Sequence, residues 1–278
     1  MQKLEMLIKT ADAHYDSKHQ IQCIYLSCSL LNIARGTCNL MIVNDKSNFQ
    51  NKITIKYERA VMSGSIKVNN DYFNTLQNQL SLKNERPARL ELLISDKLNI
   101  NLEEARKIQK NYFQEYNTTL NGMIKNHKID ADEFLEFVHD VDLSFLGKDK
   151  DLEGEIKKLD GKKIIFTNGS RAHALNVTKR IGIDKLFDGI FDIRDCEFIP
   201  KPSKEPYKKL VENYKIEPQY CIFFEDIARN LKPAFEMGMK TVWIKNSEPW
   251  ASKFSDAEFV NYKTDKLANF LKEINENK

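Results

Sequence analysis

The chain lacks the features that mark several classes of protein. Its five cysteines are odd in number and include no CxxC pair, which argues against a disulfide framework or a zinc site and favours reduced thiols. The longest apolar run, residues 21–33, is too short and too polar to span a bilayer, and acidic residues precede it, unlike in an ordinary signal peptide. A net charge of +3 is too small to indicate nucleic-acid binding. We therefore expect a soluble, cytoplasmic protein without nucleic-acid or membrane partners, and its oligomeric state stays open.

Proline is missing from the first third of the chain. All seven prolines lie at or after Pro87, whereas three of the five cysteines precede it. Short β-like runs at 39–43 and 52–68 occur in this part without alternating helices. We expect residues 1–90 to be an atypical N-terminal segment that supplies the first strand of the core.

The pattern becomes helical after this segment. Asn101 is followed three positions later by Glu104, and Asp130 by Glu133, which is the signature of a helix start. Aromatic and aliphatic residues then recur at helical spacing, as packing side chains do. We predict a small helical cap domain at residues 91–158.

From Gly161 onward, apolar strand-like runs alternate with helical patterns. Strands are expected in 162–169, 188–193, 220–226 and 240–244, with a helix between each pair. This alternation predicts right-handed βαβ units, and therefore a Rossmann-like parallel α/β sheet at residues 159–278. In such sheets ligands bind beyond the carboxyl ends of the strands.

Two groups of polar residues directly follow the apolar runs of predicted strands. Thr167, Asn168 and Gly169 offer a hydroxyl and turn N–H groups, which suit a phosphate oxygen, although the same letters also form ordinary turns. Glu225 and Asp226 are adjacent carboxylates that would suit Mg²⁺, or alternatively a helix N-cap. Either group alone is a weak signal.

Lys201 is the third candidate. It stands between Pro200 and Pro202, which restrict the backbone on both sides and could direct one ammonium group at a cluster of charges. The alternative is a solvent-exposed lysine in a rigid loop. The sequence alone leaves both open.

Together, the order and spacing of Thr167, Lys201 and Asp226 resemble the second, third and fourth motifs of the haloacid dehalogenase (HAD) superfamily of phosphatases. The strings at 166–193, 200–210 and 223–244 are similar to the pyrimidine 5′-nucleotidase branch of that family. The helical zone is similar to the cap of that branch, and the resemblance covers about residues 94–272.

The resemblance implies a Mg²⁺-dependent phosphatase that hydrolyses a small phosphate monoester, a pyrimidine nucleoside 5′-monophosphate, through an aspartyl-phosphate. It also implies roles for the residues named above. Thr167 and Lys201 would be catalytic, Asp226 and Glu225 would hold the metal, and the phosphate would be bound by Thr167, Asn168, Gly169, Arg171 and Lys201.

The first motif of the family, Asp-x-Asp-x-Thr after a buried strand, is degenerate or missing. Asp71 begins a string that matches it except that Phe73 replaces the second acid, and Asp71 would then be the nucleophile and a metal ligand. Asp45 follows a better strand but lies further from the cap, and a third interpretation is that neither is catalytic. The pair Asp140 and Asp142 follows an amphipathic helix, and we do not expect it to be the motif.

Phe73 can neither donate nor accept a proton, so the family's general acid would be absent. The alternative function is therefore a catalytically impaired relative that binds a nucleotide or phosphate without turnover.

Overall fold

The structure is a computed structural model that describes residues 23–27, 89–144, 146–246 and 248–276. The described residues belong to two compact units. One is a helical unit at residues 89–140. The other, which we call the sheet unit, contains residues 23–27 and the described residues from 141 onward.

The helical unit has four helices. They are α1 (Arg89–Leu98), α2 (Leu102–Glu115), α3 (Thr119–His127) and α4 (Ala131–His139). The predicted helix starts are confirmed: Asn101 and Glu104 form a reciprocal capping box, and the side chain of Asp130 accepts the N–H of Glu133. Each cap satisfies an N–H group that the first helical turn leaves without a partner.

Ion pairs join the helices of this unit. The guanidinium of Arg106 on α2 donates to both carboxylate oxygens of Glu91 on α1, at 2.9 and 3.2 Å. Arg89 Nε donates to the Phe137 carbonyl at 2.7 Å, and its guanidinium lies 4.4 Å from the centre of that ring. Glu91 is buried, so its pairing with a bidentate guanidinium offsets its desolvation.

Gly122 on α3 is where α2 and α3 approach most closely. A Cβ there would lie 2.5 Å from Tyr112 Cβ and 2.6 Å from Tyr112 Cδ2. Gly122→Ala is therefore expected to destabilise the protein by about 1–3 kcal/mol in urea unfolding, as overpacking does. Gly154→Ala is the matched control, because no atom lies within 4 Å of its Cβ position and helix propensity alone should stabilise it by up to about 1 kcal/mol. Equal effects of the two changes would contradict the close approach.

The part of the chain that the structure describes contributes six strands to one sheet, and all of them are parallel. They are β1 (Cys23–Ser27), β2 (Lys162–Phe166), β3 (Gly189–Phe191), β4 (Cys221–Glu225), β5 (Lys240–Ile244) and β6 (Tyr262–Thr264). Their order is β3-β2-β1-β4-β5-β6. In the central register Tyr25 pairs with Ile164 on β2 and with Phe223 on β4.

This order has one point of reversal, between β1 and β4. The chain builds the sheet outward on one side through β2 and β3, then crosses to build β4, β5 and β6 on the other side. Open α/β sheets bind ligands beyond the carboxyl ends of the strands at such a reversal. The residues after β2 and β4 flank this point.

Helices connect the strands. They are α5 (Lys150–Lys157), α6 (Arg171–Ile181), α7 (Lys204–Tyr214), α8 (Leu231–Glu236), α9 (Pro249–Ser252) and α10 (Leu267–Glu276). The predicted Rossmann-like parallel α/β fold is thereby confirmed. Over the described residues, no helix is both long and apolar enough to cross a membrane.

An aromatic cluster forms the core beside β2 and β4. Phe166 packs edge-on against Phe191, Tyr207 and Phe223, with ring centres 5.6, 5.2 and 6.1 Å away. All four rings are buried. Rings of this size contribute large buried areas, so this cluster anchors α7 to the sheet directly beneath the candidate site.

Helix α5 differs from the predicted domain boundary. The sequence placed residues up to 158 in the cap, but the structure groups α5 with the sheet unit. Asn275 on α10 donates to the carbonyl of Glu155 at 3.0 Å and to its carboxylate at 2.9 Å. These contacts, with Leu152 and Ile156 buried, explain why α5 packs on α10.

Candidate active site

Thr167 directly follows β2 and starts the turn into α6. It is fully buried, and its N–H donates to the Phe191 carbonyl on β3 at 2.9 Å. Its Oγ1 accepts the N–H of Gly169 at 2.9 Å, and Ser170 caps α6 by accepting the N–H of His173. The predicted strand-to-helix turn therefore exists and leads into the N-terminus of an 11-residue helix, a position that favours an anion.

Arg171, predicted to contact the phosphate, is held by acids that follow β3. Its N–H donates to Asp192 Oδ2 at 2.7 Å, and its guanidinium pairs with Asp195 Oδ2 at 2.8 Å. Asp195 also accepts the N–H of Asp192 at 2.8 Å. Neither acid was singled out from the sequence, because Asp192 falls inside the predicted strand that ends at 193, whereas the observed β3 ends at Phe191.

Lys201 is buried, so the interpretation as a solvent-exposed lysine is wrong. Its side chain is 1% exposed. The ammonium donates to the Phe166 carbonyl and to Glu225 Oε2, both at 2.9 Å, and lies 4.7 Å from the centre of the Phe166 ring. Lys201 thus bridges the last residues of β2 and β4, on either side of the central strand.

Glu225 is the partner of this lysine. It is fully buried, and its Oε1 accepts the N–H of Ile227 at 3.2 Å while Oε2 accepts the ammonium. Removing a carboxylate and an ammonium from water is expensive, and these short contacts compensate that loss. Glu225 therefore acts on the site through Lys201.

Asp226, the next residue, is also fully buried. Two side chains from β5 and the residues after it contact Asp226. Trp243 Nε1 donates to its carbonyl at 2.8 Å, and Asn246 Nδ2 donates to its carboxylate Oδ2 at 3.2 Å. The sequence analysis missed Trp243 and Asn246 because they lie 17 and 20 residues further on with no motif around them.

Asn230, four positions after Asp226, lies in a short 3₁₀ turn before α8. Its N–H donates to the Ile227 carbonyl at 2.9 Å, and its carbonyl accepts the Tyr207 hydroxyl at 2.5 Å. Its side-chain Oδ1 is buried and has no hydrogen-bond partner among the described residues. Burial raises the pKa of Tyr207 well above its ordinary value, so this hydroxyl is a donor throughout the physiological range.

Cys196 is not suited to act as a nucleophile. Neither Cys196 nor Cys221 forms a disulfide, and both are buried. Burial raises the pKa of Cys196 to about 12, so the thiolate that a nucleophile requires is absent at neutral pH.

The residues at the strand ends fit a partly hydrated Mg²⁺. This ion is held by one or two carboxylates together with waters and substrate phosphate oxygens, and Asp226 supplies one such carboxylate at the reversal of the sheet. Glu225 is less suited, because Lys201 and Ile227 already contact its two oxygens. No group of three or more His, Cys, Asp or Glu side chains that could hold a metal occurs within the described part of the chain.

The candidates for the first motif, Asp71 with Phe73, and Asp45, lie outside the described residues. Among the described strands, Cys23–Ser27 lies at the centre of the sheet, between β2 and β4. The sequence after this strand reads Cys28-Ser29-Leu30, without a carboxylate.

The Asp-x-Asp pair at 140 and 142 has local partners. Asp140 pairs with Arg89 at 3.0 Å inside the helical unit. Asp142 accepts the N–H and hydroxyl of Ser144 at 2.8 and 2.7 Å, and these bonds lower its pKa. Thr118 in the helical unit caps α3 by accepting the N–H of Asn121 at 3.1 Å.

Comparisons with known proteins identify relatives of this chain. The chain is 29% identical over 194 residues to "Phosphate metabolism protein 8" of Saccharomyces cerevisiae, covering 62% of this chain and 58% of that protein. It is 28% identical over 124 residues to the glyceraldehyde 3-phosphate phosphatase of Pyrococcus abyssi, covering 44% and 52%. The chain thus spans little more than half the length of these relatives.

Among solved structures, a HAD phosphatase from Thermococcus onnurineus is 20% identical, with 67% of this chain and 87% of that chain covered and a TM-score of 0.46. The model of the haloacid dehalogenase-like hydrolase family matches residues 55–238, which is more than half of the sequence. The chain therefore belongs to the haloacid dehalogenase-like hydrolase family.

Proposed function

We propose that the protein is a phosphatase that uses Mg²⁺ to hydrolyse a small phosphate monoester, a pyrimidine nucleoside 5′-monophosphate. The observation that carries this proposal is the buried ammonium of Lys201, which bridges the ends of β2 and β4 beside Thr167 and Asp226. A buried cation at the reversal of a parallel sheet is placed to neutralise a bound phosphate. The alternative, a purely structural ion pair, would not require Thr167 and Asp226 beside it.

The residues would divide the work as follows. Thr167 and the N–H groups at the start of α6 bind the phosphoryl oxygens, and Lys201 neutralises their charge. Asp226 holds Mg²⁺, which supplies charge neutralisation and orients the phosphate when bound. Trp243 and Asn246 fix the backbone and the carboxylate of Asp226.

Asp71 is our proposed nucleophile, and it would be the second carboxylate for the metal. The family match starts at residue 55 and thus includes Asp71, which supports this register. Its carboxylate oxygen would form a bond to phosphorus while the bond from phosphorus to the ester oxygen breaks, and water would then hydrolyse the acyl phosphate. Because Phe73 replaces the acid, the leaving oxygen takes its proton from water and the reaction is slow.

The helical unit, residues 89–140, corresponds in this proposal to the cap of the family, and residues 1–90 to an atypical start that includes the nucleophile. The whole assignment of domains follows the resemblance over about residues 94–272.

A second candidate is a relative that binds phosphate or a nucleotide without turnover. The replacement at Phe73 favours it, because loss of a general acid lowers the rate by about 10²–10⁴. The residues at the strand ends would then still bind phosphate, but the protein would not hydrolyse the ester.

The test is phosphate release by the purified full-length protein from UMP, CMP, AMP, GMP and p-nitrophenyl phosphate in the presence of Mg²⁺. We expect release from UMP and CMP to exceed release from the purine nucleotides. Equal rates on all five compounds would contradict the nucleotide assignment. No release, together with a rise in melting temperature on adding inorganic phosphate and Mg²⁺, would select the second candidate.

A further inference from the structure

We infer that Asn168 is a positioning residue that fixes the backbone of Lys201 relative to Thr167. The family resemblance assigns Asn168 to the phosphate, whereas the structure gives its side-chain amide a different partner. This inference rests on the proposed function for its consequence in catalysis, and on the geometry alone for the contact.

Both ends of the Asn168 amide contact the backbone of one residue. Oδ1 accepts the N–H of Lys201 at 2.9 Å, and Nδ2 donates to the carbonyl of Lys201 at 3.4 Å. The two residues are 33 positions apart, so this clamp joins the turn after β2 to the loop before α7. Two hydrogen bonds to one residue hold the position of its backbone more tightly than one does.

Lys201 is attached to the residues on both sides of Thr167, through its ammonium and through its backbone. Its Nζ donates to the carbonyl of Phe166, the residue before Thr167, while Asn168, the residue after it, holds the backbone. Thr167 itself is fixed to β3 through the Phe191 carbonyl. The hydroxyl and the ammonium are thereby held at one spacing, and catalysis is sensitive to displacements of about 1 Å.

This arrangement differs from the attachment by Glu225. Glu225 contacts only the tip of the lysine and compensates its charge. Asn168 contacts only the backbone of Lys201 and carries no charge. It can therefore affect the position of the ammonium without altering the ion pair between the ammonium and Glu225. The two residues are separable by experiment.

The test is chemical acetylation of lysines with acetic anhydride, quantified by peptide mass spectrometry on the folded full-length protein. Lys208 is exposed and serves as the internal reference, whereas Lys201 is buried. In Asn168→Ala, we expect the labelling of Lys201 relative to Lys208 to rise about three- to tenfold, the range set by losing about one hydrogen bond. Asn168→Asp keeps the acceptor for the Lys201 N–H, so the labelling of Lys201 should rise less in this variant.

Asn261→Ala is the matched control. Asn261 Oδ1 accepts the backbone N–H of Thr241 at 3.0 Å at the amino end of β5. The substitution therefore removes a hydrogen bond of the same kind, away from the carboxyl ends of the strands where the site lies. Its melting temperature should fall as much as that of Asn168→Ala, with no change in Lys201 labelling. Unchanged labelling in Asn168→Ala, or an equal rise in Asn261→Ala, would overturn the inference.

A kinetic cycle tests the consequence for catalysis. Asn168→Ala should lower kcat/KM by about 10–100-fold in the wild-type background. It should have no further effect in a protein that carries Lys201→Met with Glu225→Gln, since the residue it positions is gone. Equal losses in both backgrounds would contradict positioning through Lys201. If no variant releases phosphate, the proposed function fails, and the labelling experiment still decides the role of Asn168.

Discussion

Lys201→Met is expected to lower the free energy of unfolding by about 3–5 kcal/mol and to reduce phosphate release to a small residual rate. The change removes the ammonium that Glu225 Oε2 accepts and leaves the carboxylate fully buried. It also removes the cation that bridges β2 and β4. The measurement is urea unfolding followed by tryptophan fluorescence, together with the phosphate assay.

Stability and activity are separated by the double variant Lys201→Met with Glu225→Gln. Removing both charges relieves the uncompensated carboxylate, so most of the stability should return, whereas phosphate release should not. Lys107→Met is the control, because its partner Glu103 and the lysine itself are exposed, and we expect no measurable change. Stability in Lys201→Met equal to that of Lys107→Met would show that the pair is not buried.

Phe73→Asp is expected to raise the rate of phosphate release by about 10²–10⁴. Asp71 and Phe73 occupy the places of the nucleophile and the general acid in the family pattern, and the second is the one that this sequence lacks. A carboxylic acid there would protonate the leaving oxygen during bond cleavage. The readout is kcat on p-nitrophenyl phosphate and on UMP.

Tyr72→Asp is the matched control for this gain. It adds the same carboxylate one position away, where the family pattern has no acid. A gain that disappears when Asp71→Asn is added would assign the nucleophile. Equal rates in Phe73→Asp and Tyr72→Asp would contradict the register, and Asp45 or neither candidate would then remain.

The sequence predicted the parallel sheet because its strands are covered on both faces. Such strands read as continuous apolar runs, as in 221–224 and 241–244, and turn residues separate them from helical patterns. Thr167, Glu225 and Asp226 were located from the same pattern, since polar residues directly after a buried strand lie where parallel sheets bind ligands. The local pattern of apolar and polar residues was therefore enough to predict the parallel sheet and these site residues.

The central strand and the side-chain partners were beyond this logic. Cys23–Ser27 lies in the run that we considered only as a membrane span, because no acid follows it and no helix alternates with it. The bonds from Asn168 to Lys201 and from Asn246 to Asp226 join positions 33 and 20 residues apart. A single sequence carries no signal for such pairs, which arise from the crossing of loops above the sheet.

The most direct test of the central claim, that the ends of β2 and β4 form a Mg²⁺-dependent phosphoryl-transfer site, is phosphate release by wild-type protein and Asp226→Asn. Both are assayed on UMP and p-nitrophenyl phosphate with Mg²⁺ and with EDTA. We expect the wild type to release phosphate and EDTA to remove this release. Asp226→Asn should release no phosphate, although its melting temperature is unchanged. Release that persists in EDTA, or in Asp226→Asn at the wild-type rate, would contradict it.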